Sequence, residues 1–422
     1  MNIPDIGKPR LVILGGGFAG LSLAQGLKGG EFQVVMLDRN NYHTFQPLLY
    51  QVATAMLEPE SVADSFRKIF KNQKNFYFRM VDVKRVRPEG KVLETSEGEL
   101  PYDLLVIATG AGTNYYGMAD MARNAFSMKD VSEAIAIRQR LFKNFEKAFF
   151  VEDPEERDRL MNVIIVGGGA TGIEIAGALG ELKQFILPAD YPDLDLDRMR
   201  IHLIEAGDRL LPNMSEKASA IARKALESFG VTIRLNTKIA SYDGESAVTP
   251  DGEHIPSRLL IWVAGVTGSI PEGLTGATVM SGGRLKVDAV NRVVGYPDIY
   301  AIGDVAVMAT ESRPKGDPML APVAIQQARN LARNILGNGD APFIYKSRGV
   351  MATIGRNRAV VEISRISFGG VLAWLTWLFV HLMSLVGFRN KLIAMVNWAW
   401  NYFSYDRGLR VIIPTPRKFK GS

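Results

Sequence analysis

Short apolar runs, separated by glycine turns and amphipathic stretches, set the pattern of this chain. Leu11–Leu14, Val34–Leu37, Leu104–Ala108, Val163–Val166, Ile201–Ile204 and Leu259–Ala264 are each continuous rather than alternating. Strands buried on both faces by helices read this way, so the sheets are expected to be mostly parallel. Val131–Phe150 and Glu216–Phe229 carry apolar residues at helical spacing. A strand at Ile299–Ile302 leads into Gly303-Asp304, and a helix is expected at about Val323–Leu336. Two strand-like runs, Val350–Ile354 and Ala359–Ile363, precede an apolar tail.

An internal repeat organises these elements. Arg10–Asp38 reads strand, glycine turn, helix, strand, and Asn162–Glu205 reads the same way. Matching segments follow, one ending near Gly110 and the other near Gly265. Gly15 to Gly110 spans 95 positions and Gly167 to Gly265 spans 98. The expected class is α/β, with two Rossmann-like dinucleotide-binding domains and a C-terminal helical membrane-binding segment. The expected boundaries are 1–115 with 290–345, then 116–289, then 346–422.

Each repeat opens on G-x-G-x-x-G after a strand and at the start of a helix. In Gly15, Gly17 and Gly20 the first permits a tight turn, the second lets a pyrophosphate approach, and the third lets helix and strand pack closely. The helix N-terminus faces the phosphate charge. Asp38 ends the next strand, where a carboxylate can take a ribose hydroxyl. Gly167, Gly169 and Gly172 repeat the arrangement with Glu205 as the acid, and a carboxylate there repels a 2′-phosphate, so NADH is expected over NADPH. The second acid stands further from its glycines because of an insertion around Ile186–Met199, to which the sequence assigns no role. Glu174 is placed on the first turn of the second glycine helix. There it either faces a nicotinamide or simply complements the helix dipole; spacing does not separate the two. Asp304 ends a buried strand beside Gly303, where in a flavoprotein it can accept from the ribityl chain.

The chain has 422 residues and a mean hydropathy of +0.03. It has no cysteine, which excludes disulfides, cysteine-ligated clusters and a dithiol relay beside a flavin. Its four histidines show no metal-ligand spacing, and no metal is expected. The net charge of +6 is concentrated at one end. Arg365–Ser422 holds eight basic residues and one acid, leaving +7, while the remainder sums to −1. Four of the five tryptophans lie there too, as do 21 uncharged residues from Phe368 to Phe388. That combination points to a membrane surface rather than nucleic acid. Asn397, Asn401 and Ser404 form a polar stripe, with Leu392, Val396, Trp400 and Phe403 on another face. Trp398, Trp400, Tyr402 and Tyr405 suit a headgroup region. The reading is two helices lying in the interface rather than one span, with a buried dimer interface as the alternative. The N-terminus lacks the apolar core of a secretory signal, so the body is expected in the cytoplasm.

The two fingerprints, Ala108–Gly110 (ATG) and Ile302–Asp304 (IGD) resemble the two-dinucleotide-binding-domain flavoproteins. Asn41–Leu57, Ala321–Ala328 and Gly387–Phe403 narrow the resemblance to type II NADH dehydrogenase, the single-subunit, non-pumping NADH:quinone oxidoreductase of respiratory chains. The resemblance covers nearly the whole chain. It implies a monotopic homodimer on the cytoplasmic face of the cell membrane, carrying electrons from NADH through non-covalent FAD to menaquinone or ubiquinone. It assigns Gly15, Gly17, Phe18, Ala19, Gly20, Asp38, Arg39, Val83, Thr109, Gly110, Asp304, Ala321 and Lys391 to FAD. NADH takes Gly167, Gly169, Ala170, Thr171, Gly172, Glu174, Glu205 and Gly265. Gln51, Pro322 and Gln326 go to quinone, and Glu174 is the catalytic candidate. Pro322 departs from the family's pattern, which has glutamine there. Two other readings remain: a soluble NADH reductase of a ferredoxin-like protein, and a non-enzymatic FAD- and NADH-binding docking protein.

Overall fold

The computed structural model describes residues 1–311, 313–337, 339–364, 366–404 and 409–413. Arg365, Tyr405, Asp406, Arg407, Arg417, Lys418, Lys420 and the side chain of Ser404, all used in reading the tail, lie outside this description.

The chain forms two compact units. The first comprises Met1–Thr44, Ala63–Gly112 and Val266–Arg348. Its main sheet is wholly parallel and runs Ile299–Ala301, Leu104–Ile107, Arg10–Leu14, Gln33–Asp38, Phe76–Met80. The apolar runs form the central strands because both faces are covered: Leu11, Val12, Ile13, Val34, Val35 and Met36 are all fully buried. Helices Phe18–Gly26 and Ala321–Gly337 pack against each other so closely that a Cβ on Gly26 would stand 2.8 Å from that of Ala332.

The second unit comprises Phe45–Val62, Thr113–Gly265 and Gly349–Ser422. It repeats the parallel arrangement in the order Val231–Arg234, Ile201–Ile204, Val163–Val166, Leu260–Trp262. Helix Val131–Ala148 starts from a capping box, in which Asp130 accepts from the Glu133 amide and Glu133 from the Asp130 amide.

These units correct the expected boundaries in three places. Residues 266–289 belong with the first unit, because Leu285 and Lys286 pair in parallel with Ala306 and Val307. The Arg284 guanidinium adds hydrogen bonds to the Ala306 carbonyl at 2.9 and 2.6 Å. Phe45–Val62 belongs with the second unit, and so does the tail.

The tail opens on three antiparallel strands, Val350–Gly355, Arg358–Ile363 and Ile366–Gly369. The third was not foreseen; Phe368 and Gly369, taken as the start of the uncharged run, finish it. Two helices follow, Val371–Ser384 and Phe388–Ser404. The first has 14 residues and so extends about 21 Å at 1.5 Å per residue, short of the ~30 Å hydrocarbon core. Among the described residues no helix is long and apolar enough to cross a membrane.

The tail sheet packs against helix Ala170–Phe185 through Gly177, where a Cβ would lie 2.4 Å from the Ile354 carbonyl oxygen. Backbone cannot yield as a side chain does, so Gly177→Ala should destabilise the protein by about 1–3 kcal/mol. Gly337→Ala, placed where nothing lies within 4 Å, should leave the thermal unfolding midpoint of the flavin-loaded protein unchanged. Equal midpoints for the two variants would contradict this packing.

Candidate functional site

In the first unit the glycine loop is held by the carboxylate that follows it. Asp38 accepts the Gly16 amide at 2.7 Å and the Asn40 amide at 2.8 Å. Burial pushes the Asp38 carboxyl above its ordinary value, against the downward pull of those two amides. Gly15 has φ +96°, and a Cβ there would meet the Ala108 carbonyl oxygen at 2.5 Å. A Cβ on Gly20 would meet the Gly15 oxygen at 1.9 Å, whereas nothing lies within 4 Å of Gly17. The loop is therefore packed on the protein side and open where a phosphate approaches.

Gly303 brings Asp304 to the same place: a Cβ on it would lie 3.1 Å from Ala19 and 3.5 Å from Ala324. The Gln327 side chain fixes this turn by accepting the Gly303 amide at 2.7 Å. The structure thus gathers the Gly15–Gly20 loop, Asp38, Thr109, Asp304 and the helix beginning at Ala321. Thr109 donates to the Ser269 carbonyl at 2.5 Å. Arg39 is exposed after Asp38, and Val83 is half-buried against the core of the first unit. These residues fit a flavin dinucleotide: the loop is open, the acid stands at the ribose position, and a second acid stands beside the glycine helix.

The second unit repeats the brace. Glu205 accepts the Gly168 amide at 2.6 Å and the Gly207 amide at 2.7 Å. Gly167 has φ +118° and sits against Ala264, while Gly169 is open, and Gly169, Ala170 and Thr171 are exposed. Gly265 has a different reason to be glycine, since a Cβ there would lie 2.3 Å from the Tyr116 hydroxyl.

Glu174 departs from the expectation. Helix Ala170–Phe185 has no acid in its first turn, and Glu174 is its fifth residue. It is only 8% exposed. Burial pushes its carboxyl up to about 8, against smaller downward pulls from the Thr353 backbone and the Trp377 indole. A dipole-complementing carboxylate would be lowered instead. Glu174 therefore holds its proton at neutral pH.

Glu174 lines a cavity wholly within the second unit, with about 710 Å3 of empty space, part of it open to solvent. Aromatic side chains dominate the wall: Tyr50, Trp374, Trp377, Trp398 and Tyr402. Gln51 is also there, and Ile186 from the insertion closes one side. That insertion is tied down by Tyr191 donating to Glu146 at 3.1 Å and by the ion pair of Arg410 with Asp190.

The remaining quinone candidates stand in the first unit. Pro322 occupies the first turn of its helix, where a missing N–H costs nothing. The Gln326 amide donates to the Lys346 carbonyl at 2.9 Å and accepts the Lys346 amide at 3.1 Å. Lys391 donates to the Met383 carbonyl at 2.9 Å, at the end of helix Val371–Ser384. Sequence reasoning named Gln51 but missed its tryptophan and tyrosine partners, Trp398 and Tyr50, and the Gln327 anchor. Only the doubled glutamine at 326–327 hinted at the latter.

Two acid-braced glycine loops on parallel sheets define a reductase with two nucleotide-binding units. The family described as pyridine nucleotide-disulphide oxidoreductase matches residues 9–328, and the NDH2 C-terminal domain matches 347–404. The type II NADH:quinone oxidoreductase NdhA of Mycobacterium tuberculosis is 33% identical over 427 residues, covering 96% of this chain and 90% of its own. The Haemophilus influenzae type II NADH:quinone oxidoreductase is 30% identical, covering 84% and 87%. The structure of NDH2 from Plasmodium falciparum in complex with NADH superposes with a TM-score of 0.87 at 21% identity, over 96% of this chain and 100% of that one. The chain belongs to the type II NADH:quinone oxidoreductase family.

A raised carboxyl has a signature in stability. Glu174 moves from an ordinary value of 4.5 to about 8, so its contribution is fully present below about pH 4.5 and is lost as pH rises through about 8. The glutamine at 174 in Glu174→Gln cannot ionise. Denaturant unfolding between pH 5 and 9 should show the wild type losing a few kcal/mol more than this variant. Parallel curves would mean that Glu174 is ionised throughout.

Proposed function

We propose that this protein oxidises NADH by hydride transfer to FAD and passes two electrons to a membrane quinone, without pumping protons. The observation that carries the reading is the repeated acid-braced glycine loop, one copy for each dinucleotide, in a chain of this family. FAD, when bound, takes the hydride and releases electrons to the acceptor. The residues of the chain position and select. Asp38 and Asp304 hold the first dinucleotide through its ribose and ribityl hydroxyls, and the open Gly17 face admits its pyrophosphate. Glu205 holds the ribose of NADH and repels the 2′-phosphate of NADPH. Gly169, Ala170 and Thr171 present helix N-terminal amides to the NADH pyrophosphate. The aromatic cavity receives the quinone ring, and Glu174, neutral at pH 7, holds a proton beside it.

The protein is peripheral to the membrane. Supporting this is the sidedness of helix Phe388–Ser404, which turns its polar residues inward. Asn397 donates to Glu58 at 2.6 Å and Asn401 to the Met56 carbonyl at 3.0 Å. Leu392, Met395, Val396, Trp400 and Phe403 are left exposed, joined on the preceding helix by Leu372, Leu375 and Phe379. The +7 charge of Arg365–Ser422 supports the anionic cytoplasmic leaflet as the surface. The tail's likeness to the family supports a homodimer.

Purified protein should reduce short-chain menaquinone and ubiquinone analogues with NADH. Its kcat/KM for NADH should exceed that for NADPH at least tenfold, or about 1.4 kcal/mol; equal values would remove Glu205 from the ribose. Phe379 and Phe403 are 66% and 84% exposed, so replacing both by glutamate leaves the core intact. That double variant should leave the membrane pellet for the supernatant, and retention in the pellet would place the attachment elsewhere.

A further inference from the structure

In the second unit a tyrosine occupies a turn position that ordinarily goes to asparagine or glycine. The Met118 amide donates to the Tyr115 carbonyl at 3.0 Å, and the two residues between them have positive φ, +50° at Tyr116 and +80° at Gly117. A turn of this hand favours Asn-Gly, and a large side chain at its first inner position costs backbone energy. The turn is strapped in place all the same. The Tyr116 amide donates to the Asn114 side chain at 2.8 Å, the Trp262 indole to the Asn114 carbonyl at 2.8 Å, and the Asn114 amide to the Gly265 carbonyl at 3.1 Å. These bonds lay the Tyr116 ring on Gly265, where a Cβ would stand 2.3 Å from the hydroxyl oxygen and 2.9 Å from the ring carbon that bears it. The hydroxyl donates to the Ala264 carbonyl at 3.3 Å. The ring meets that of Trp262 at 6.4 Å between centroids and yet stays 62% exposed, so burial does not account for a tyrosine here.

Its place on the sheet indicates what the exposed ring meets. Strand Leu260–Trp262 lies beside Val163–Val166, with Trp262 level with Val166, and Ile201–Ile204 lies on the other side. Gly167 packs on Ala264, where a Cβ would stand 2.8 Å from the alanine backbone. Along the carboxyl ends of these strands the order is therefore Glu205, the Gly167–Gly172 loop, then Ala264, Gly265 and Tyr116. A dinucleotide crosses such a sheet along those ends. With one ribose at Glu205 and the pyrophosphate on the glycine loop, its other nucleoside comes to Gly265 and Tyr116. In the first unit a Cβ on the matching Gly110 would meet nothing within 4 Å, so a ring over this glycine is no part of the repeated loop. We propose, building on the reading that the second unit takes NADH, that Tyr116 binds the nicotinamide riboside half of that dinucleotide by packing its ring against it. Tyrosine suits the task, because it offers a broad flat surface with few rotamers to fix, and its face also attracts the cationic ring of the product NAD+.

The test uses the full-length, flavin-loaded enzyme in its oxidised state. Calorimetry measures the binding of NAD+, which carries both nucleosides, and of ADP, which ends at the pyrophosphate. Tyr116→Asn supplies a residue that the turn prefers, so the thermal unfolding midpoint should not fall. It should weaken NAD+ about tenfold, the scale of one aromatic contact, and leave ADP unchanged. The KM for NADH should rise by a similar factor. Tyr116→Phe keeps the ring and should restore most of the binding. Unchanged NAD+ binding in Tyr116→Asn overturns the proposal. Equal weakening of NAD+ and ADP also overturns it, because the glycine loop would then be distorted as a whole. Binding by Tyr116→Phe as weak as that by Tyr116→Asn would place the effect in the hydroxyl and overturn the packed ring. Should Tyr116→Asn lose flavin or unfold early, Tyr116→Gly, unstrained at this φ, decides by the same criteria. An unaltered enzyme that binds ADP, but neither binds NAD+ nor has its flavin bleached by NADH, overturns the reading of this unit as the NADH site, an outcome separate from all of these.

Discussion

Helix Ala170–Phe185 has to satisfy two surfaces at once, and the second unit is arranged around that constraint. Its N-terminus carries the open glycine face for a dinucleotide. Its body must lie flat against the tail sheet at Gly177 and against Phe229 at Gly180, where a Cβ would stand 2.6 Å from the phenylalanine's own. Those contacts carry Glu174 under Thr353 and Trp377 and so set its proton affinity. Glu181, one helical turn beyond Gly177, accepts the Arg356 amide and pins the tight turn between the first two tail strands. One helix therefore joins the nucleotide-binding loop to the aromatic cavity without a flexible link.

The carboxylate braces show why the nucleotide sites could be read from sequence and the cavity could not. A G-x-G-x-x-G loop is built from local geometry: a turn, a helix start, and an acid at the end of the next strand. All of it lies within a few tens of residues, and the repeat printed it twice. The bonds from Asp38 to Gly16 and from Glu205 to Gly168 follow almost directly. The cavity draws on residues from Tyr50 to Tyr402, and the Gln51–Trp398 bond crosses 347 positions. No periodicity encodes such a pairing. The placement of Glu174 by a one-turn count failed for a related reason, since counting residues along a helix says nothing of what later closes over them.

The polar stripe on the last helix was visible in the sequence, but its orientation was not. An amphipathic helix looks alike whether its polar side faces water or protein. Here Glu58, Met56 and Gln51 supply partners for Asn397, Asn401 and Trp398, so the usual arrangement is reversed. The apolar side, with Trp400 63% and Phe403 84% exposed, faces outward.

This reversal bears on how the enzyme reaches its membrane. Many peripheral anchors are unstructured in water and become helical only on touching lipid, so part of their adhesion is spent on ordering the chain. A helix already fastened by three side chains to the body arrives in its final shape. Its adhesion is diminished only by the loss of tumbling freedom, and while it waits in solution it exposes a greasy surface that other copies of the chain, or a chaperone, can seize.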